Sequence, residues 1–78
     1  MDKQREMTFG EKAVGLTFNP SGSPEVDAIK TGFAHIIDRL NDLRTAASEP
    51  EIKRMYSVAI TESQSAQMWG VKAATWRY

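Results

Sequence analysis

Residues 23–47 read SPEVDAIKTGFAHIIDRLNDLRTAA, and this stretch decides the fold class. Within it Val26, Ile29, Phe33, Ile36, Leu40 and Leu43 recur at alternating three- and four-residue steps. That is the period of a helix presenting one apolar stripe in a/d heptad register, with Ala47 as the next a position. The start is marked as well. Ser23 offers a hydroxyl to the first-turn backbone N–H groups, and Pro24 has the fixed φ of a first helical residue. Glu25 and Asp27 sit against the positive end of the helix dipole. The pattern stops at Ser48-Glu49-Pro50, where Ser48 is a second N-cap candidate and Pro50 again falls early. A second helix is expected there, with Gly70 as a tolerated weakness of about 1 kcal/mol.

The second helix carries a different face. Ile52, Met55, Ala59, Ser63, Ala66, Gly70 and Ala73 share one side, and beyond the first turn all of them are small. Small residues let two helix axes approach closely. This side is therefore expected to receive the Phe33, Ile36 and Leu40 stripe in an antiparallel hairpin joined by four or five residues. The chain reads as all-α, a single helical-hairpin domain over residues 1–78. Residues 1–23 form an extended N-terminal arm and loop, helix one covers about 24–47, and helix two about 49–77. Tyr56, Ile60, Met68, Trp69, Val71 and Trp76 are left to spread over the remaining surface. Two helices alone do not bury that aromatic area, which calls for a partner, most simply further copies of the chain. A homo-oligomer is expected.

Composition narrows the function classes. Ten Lys and Arg balance ten Asp and Glu, so the net charge is zero. General binding to a DNA or RNA polymer or to an anionic membrane would rest on a basic excess that is missing. No cysteine is present, which removes disulfides and thiolate metal sites. No apolar run approaches the ~18 residues of a membrane span, and the opening MDKQREMTFGEK has no signal-peptide core, so a cytoplasmic protein is expected. The lone histidine, His35, falls at heptad position c and reads as a solvated helix-face residue. No ligand set for a metal, no glycine-rich phosphate loop and no base placed to activate a serine or threonine can be found. The reading is a protein without catalytic residues, metal or cofactor.

Two segments hold chemistry suited to a ligand. The first is Phe18-Asn19-Pro20-Ser21-Gly22-Ser23-Pro24-Glu25, an aromatic, an amide and hydroxyls just before a helix N-terminus able to receive an anion. Lys30 follows at heptad position e, beside the packing seam. An aromatic to stack on a base, amide groups to read its edge and a lysine for phosphate suit a nucleotide. The plainer alternative is that Phe18 pins the arm to the hairpin and Lys30 flanks an interface. The second segment is a polar row, Arg54, Ser57, Thr61 and Gln64, at helical spacing. It serves either as a ligand surface or as a solvated strip and inter-helix hydrogen bonding.

The run Ser57-Val58-Ala59-Ile60-Thr61-Glu62-Ser63-Gln64-Ser65-Ala66-Gln67-Met68-Trp69-Gly70-Val71-Lys72-Ala73-Ala74 resembles the second helix of a phage family. These are the small hairpin proteins that sequester cyclic-nucleotide signals of the bacterial CBASS and Thoeris defences. The Met68-Trp69 element inside its Ala/Thr spacing carries most of the likeness. The first helix is similar too, from Ser23-Pro24-Glu25-Val26-Asp27 through Ile29-Lys30 to Ile37-Asp38, so the resemblance spans roughly residues 18–76. It implies a helical hairpin assembled into dimers and hexamers in the host bacterial cytoplasm. Such a protein binds cyclic dinucleotides or trinucleotides without degrading them. By the same resemblance Phe18, followed by Asn19, matches the aromatic that stacks on a base, and Lys30 the basic residue that faces phosphate across a protomer boundary. Arg54 and Thr61 match the Arg and Thr that hold trinucleotides at a three-fold axis. Phe18 stands where many relatives carry Tyr or His and lacks their polar group. Cyclic oligonucleotides are favoured over cyclic ADP-ribose isomers, for which 78 residues leave little room. The competing class is a structural or adaptor protein that binds a protein partner through Trp69, Trp76 and Tyr78.

Overall fold

Residues 6–77 of the computed structural model are described, and they form three helices: α1 Phe9–Ala13, α2 Pro24–Ala46 and α3 Pro50–Ala74. No strand occurs among the described residues. Residues 1–5 of the expected arm, and Tyr78, lie outside them.

The first helix corrects the expectation of an extended arm. Thr8 Oγ1 accepts the Glu11 N–H at 3.1 Å while Glu11 Oε1 accepts the Thr8 N–H at 2.9 Å, a reciprocal capping box. The sequence signal is Thr8-Phe9-Gly10-Glu11, a hydroxyl followed three residues on by a glutamate. The chain then turns at Gly15, whose φ of 63° lies in the left-handed region. It reaches α2 with Ser23 Oγ accepting the Val26 N–H at 3.3 Å. Helix α3 begins differently from expectation, because Glu49 is its N-cap and makes no side-chain cap bond. Pro50 explains this: it drives the preceding residue out of the helical region, and Glu49 accordingly has φ −83° and ψ 127°. The connection is residues 47–49, shorter than the four or five expected.

Helices α2 and α3 run antiparallel. Ile29 meets Gly70 near one end, and near the other Arg44 Nη1 donates to Ser57 Oγ at 2.9 Å. A Cβ at Gly70 would stand 3.3 Å from Ile29 Cγ2, so the small residue sets the close approach there. Helix α1 lies across the pair. The Gly10 N–H donates to Asp38 Oδ1 at 2.6 Å, and Gln64 Nε2 donates to the Ala13 carbonyl at 3.0 Å.

That third body moves the core away from the heptad stripe. The buried centre is Val14, Ala34, Ile37 and Ile60, with Ala13, Leu16, Phe33 and Leu40 packed around it. Along α2 the buried residues are Val26, Lys30, Ala34 and Ile37, whereas Ile36 is 50% and Leu43 41% exposed. Lys30 is thus inside the fold rather than beside its seam. On α3 the buried residues are Ile60 and Gln67, while Ile52, Met55, Ala66 and Ala73 are exposed. Of the small-residue face, Gly70 packs against Ile29, and Ala59 and Ser63 are half-buried, whereas Ala66 and Ala73 face outward. At 100° per residue, Ile36 and Leu43 lie opposite Ala34 on α2, and Met55, Ala66 and Ala73 lie opposite Gln64 on α3. Both sets occupy the flank away from α1. The Cα envelope is 12 Å thick along its shortest axis.

Gly10 fixes this arrangement: a Cβ there would come 2.1 Å from the Ala34 carbonyl oxygen. Gly10→Ala is expected to destabilise the fold by about 1–3 kcal/mol, because backbone must shift to relieve the overlap. Thermal denaturation measures it, and an unchanged Tm would mean that α1 is not seated on Ala34.

Candidate functional site

A hollow of about 260 Å³ opens between the Phe18–Ser21 loop, the first turns of α2 and the last turn of α3. Its lining is Phe18, Asn19, Pro20, Ser21, Val26, Lys30, Val71 and Thr75. Three of the residues expected to bind a ligand, Phe18, Asn19 and Lys30, therefore come together here. The floor is apolar, with Val26 fully buried, and the rim carries the Phe18 ring, 71% exposed.

The loop holds its shape through its own side chains. Asn19 Nδ2 donates to the Ser23 carbonyl and to Asp27 Oδ1, both at 3.0 Å. Asn19 Oδ1 accepts from Ser21 Oγ at 2.9 Å, and Ser21 Oγ accepts the Ser23 N–H at 3.3 Å. The amide of Asn19 is thus committed to the turn that leads into α2. Gly22, with φ 65°, allows the chain to make that turn. Opposite, Thr75 Oγ1 donates back to the Val71 carbonyl at 2.8 Å.

Lys30 is the cation of this site. It is 5% exposed, and its Nζ donates to the Gly15 carbonyl at 2.9 Å and also to the Phe18 carbonyl. It lies 5.6 Å from the centroid of the Phe18 ring, within cation–π range. A buried ammonium needs such acceptors, since an unpaired charge away from water is costly. The carbonyls of the turn supply them.

Arg54 and Thr61 lie elsewhere. Both are exposed on α3, and Arg54 precedes Val71 by 17 positions, about 25 Å along the helix. The chain does not bring them to the Phe18 hollow. Arg54 Nε and Nη2 donate to Glu51 Oε1 and Oε2 at 3.1 and 2.7 Å. This pairing lowers the Glu51 carboxyl below its ordinary value and raises the Arg54 guanidinium above its own. The ion pair is therefore present at neutral pH and is lost as pH falls through the lowered carboxylate value. Of the polar row, Ser57 and Gln64 serve contacts between helices, to Arg44 and Ala13. A second, shallower hollow of about 190 Å³ lies on α3 among Ser65, Met68, Trp69 and Lys72. There Lys72 Nζ stands 5.4 Å from the Trp69 ring and 5.3 Å from that of Trp76.

Val71 and Thr75 are the wall that sequence reasoning missed. They stand four residues apart and continue the buried arc through Ile60 and Gln67, an arc legible only once the core is placed correctly. Among the described residues no group of His, Cys, Asp or Glu is arranged to hold a metal ion, and no helix is long and apolar enough to cross a membrane.

A loop-borne aromatic open over an apolar hollow, with a buried cation behind it, is the equipment of a small-ligand binding protein. The model of the Acb2/Tad1 hairpin domain matches residues 11–75, and the chain belongs to the Acb2/Tad1 family. This is the anti-CBASS and anti-Thoeris family of phage cyclic-nucleotide sponges, a family of binding domains, and the one that the Met68-Trp69 run resembles. No curated protein and no solved structure matches the chain.

The burial pattern separates the two central residues by stability. Phe18→Ala should change stability by no more than about 0.5 kcal/mol, as exposed substitutions do. Lys30→Ala should lower the Tm clearly, because it strips two carbonyls of their shared partner. Melting curves of the two variants without ligand check this, and an early-melting Phe18→Ala would make the ring a packing anchor.

Proposed function

We propose that this protein binds cyclic dinucleotides in the Phe18 hollow and sequesters them unaltered, blocking CBASS-type signalling in the host bacterial cytoplasm. The observation that carries the reading is the Phe18 ring, 71% exposed at the rim of an apolar hollow lined by Lys30. A base stacks on the ring, and the apolar floor of Val26 and Val71 takes its edge. The positive charge of Lys30 favours the anionic ring of the ligand. Since the Asn19 amide is spent within its own turn, stacking and shape dominate over base-edge hydrogen bonds.

Assembly belongs to the same reading. The chain exposes 5788 Å², against about 4,700 Å² for a compact monomer of this mass. The surplus is of the order that one partner buries in a standard interface, about 800 Å². The apolar flank of Ile36, Leu43, Ile52 and Met55 is where a second copy fits, in a dimer or a hexamer. Repetition by symmetry then gathers copies of Arg54 and Thr61, two helical turns apart, into a separate site for cyclic trinucleotides. Arg pairs phosphate oxygens bidentately, and Thr both donates and accepts.

Thermal shift against cyclic di- and trinucleotides tests the ligand class, since ligand at ~1,000 times its Kd adds about 4 kcal/mol of stability. Phe18→Ala should remove about 1–3 kcal/mol of dinucleotide binding, the contribution of one stacked base. No shift with any cyclic nucleotide would sink the sponge reading. Heat denaturation of the complex should return the ligand intact, whereas linear dinucleotide accumulating with time would reveal catalysis. Light scattering should give a mass of at least two chains. Ile36→Lys should lower that mass, and a folded monomer in the unmodified protein would refute the assembly.

A further inference from the structure

We infer that Asp38, which is not part of the hollow, is a positioning residue for ligand binding. It holds α1 on α2, and the seating of α1 and the filling of the hollow form one linked equilibrium. This deepens the pocket reading proposed above and rests on it.

Helix α1 does not hold itself together. Its five residues fall well short of the ~12–15 at which an isolated helix becomes marginal in water. It persists because it is docked. The Gly10 N–H donates to Asp38 Oδ1 at 2.6 Å, beside a backbone contact with Ala34 that leaves no room for a Cβ. Val14, the C-cap of α1, is buried in the core, and Gln64 Nε2 donates to the Ala13 carbonyl. Hydrogen bonds to a carboxylate are among the stronger kinds, so Asp38 supplies a large share of a small total.

The joint between α1 and the hollow is stiff. Past Val14 the Leu16 N–H donates to the Glu11 carbonyl at 3.0 Å and the Gly15 N–H to that of Lys12 at 3.1 Å. With Gly15 at φ 63°, these two bonds make a Schellman cap. The Gly15 carbonyl leaving the cap accepts from the Phe18 N–H and from Lys30 Nζ, both at 2.9 Å, and Lys30 Nζ also donates to the Phe18 carbonyl. An ammonium has three N–H donors. Two hold the turn, and the third is available to a ligand phosphate in the hollow that Lys30 lines.

When α1 lifts off, the cap and the turn go with it. Lys30 then loses the acceptors that aim its ammonium, and the Phe18 ring loses its platform. Asp38 acts on both from eight positions further along α2, about 12 Å away. Only the docked state offers a formed hollow. A ligand that binds one of two states favours that state by a factor of one plus the ratio of free ligand to Kd, and the coupling is reciprocal.

The test is amide hydrogen exchange on the full chain, free and with cyclic di-adenylate at about 100 times its Kd. In the free protein the Val14 and Leu16 amides should exchange faster than that of Ile60 in the middle of α3, because α1 opens without the rest of the fold. Ligand should slow both about hundredfold, while the Lys53 amide at the far end of α3 keeps its rate within about twofold. Val14 exchange unmoved by bound ligand, or no faster than Ile60 without it, would overturn the inference. Asp38→Ala should speed Val14 exchange about tenfold and weaken binding at least about fivefold, since affinity falls with the competent fraction of molecules. Asp38→Asn keeps an oxygen acceptor for the Gly10 N–H and should bind within about twofold of the native protein. Fast Val14 exchange in Asp38→Ala with a native Kd would make α1 a mere cover and refute the positioning role. Should that variant not fold, the asparagine variant and the native exchange rates decide. Native protein that does not bind cyclic di-adenylate fails the pocket reading, whereas binding without protection of α1 fails only the role of Asp38.

Discussion

The backbone contact between Gly10 and Ala34 governs the arrangement of everything else. Without a side chain at Gly10, a five-residue helix comes close enough to α2 for the Gly10 N–H to reach Asp38. Once α1 occupies that side, the pair of long helices must turn inward toward it. The buried arc of α2 then runs through Val26, Lys30, Ala34 and Ile37. That rotation has two effects of opposite kind. It draws a lysine into the interior, where the turn after α1 supplies its acceptors. It also turns Ile36 and Leu43 outward, away from any partner within the chain. A contact near the N-terminus therefore determines both the ligand hollow and the apolar flank.

Helix positions were legible in the sequence where local chemistry is decisive. Ser23 with Pro24 marks the start of α2 through a cap whose atoms are all within four residues. Pro50 marks the start of α3, although it selects Glu49 rather than Ser48 as the cap by constraining the residue just before it. The rotation of each helix was not legible from its own stripe. Val26, Ile29, Phe33, Ile36, Leu40 and Leu43 form a regular heptad, but a heptad describes two bodies meeting at one seam. Here three bodies meet, and the capping box at Thr8 and Glu11 that announces the third lies outside the stripe. Of the site, Phe18, Asn19 and Lys30 were legible because residue type and nearness to a helix start already pointed to a ligand. Val71 and Thr75 were not, since they reach the hollow only through the antiparallel pairing of the helices.

The hollow is also unusual in how its polar groups are spent. Asn19, Ser21 and Thr75 all hold parts of the fold together, and Lys30 closes a turn. The lining that is left for a ligand is mainly the Phe18 ring, Pro20 and Val71 over a Val26 floor. A surface of that kind recognises a planar, partly apolar group by area and fit. Its shape is held by the polar side chains, which hydrogen-bond within the fold.

The placement of the aromatic residues has a practical consequence. Both tryptophans of the chain, Trp69 and Trp76, stand at the C-terminal end of α3 and share Lys72 between them. Thr75, which walls the ligand hollow, is the immediate neighbour of Trp76. The indole emission of the native protein therefore originates wholly beside one region of the molecule. Arg54 and its ion pair, at the other end of the same helix, contain no indole and are optically silent. The chain carries an intrinsic fluorescent reporter that views the Phe18 end of the fold and is blind to the other.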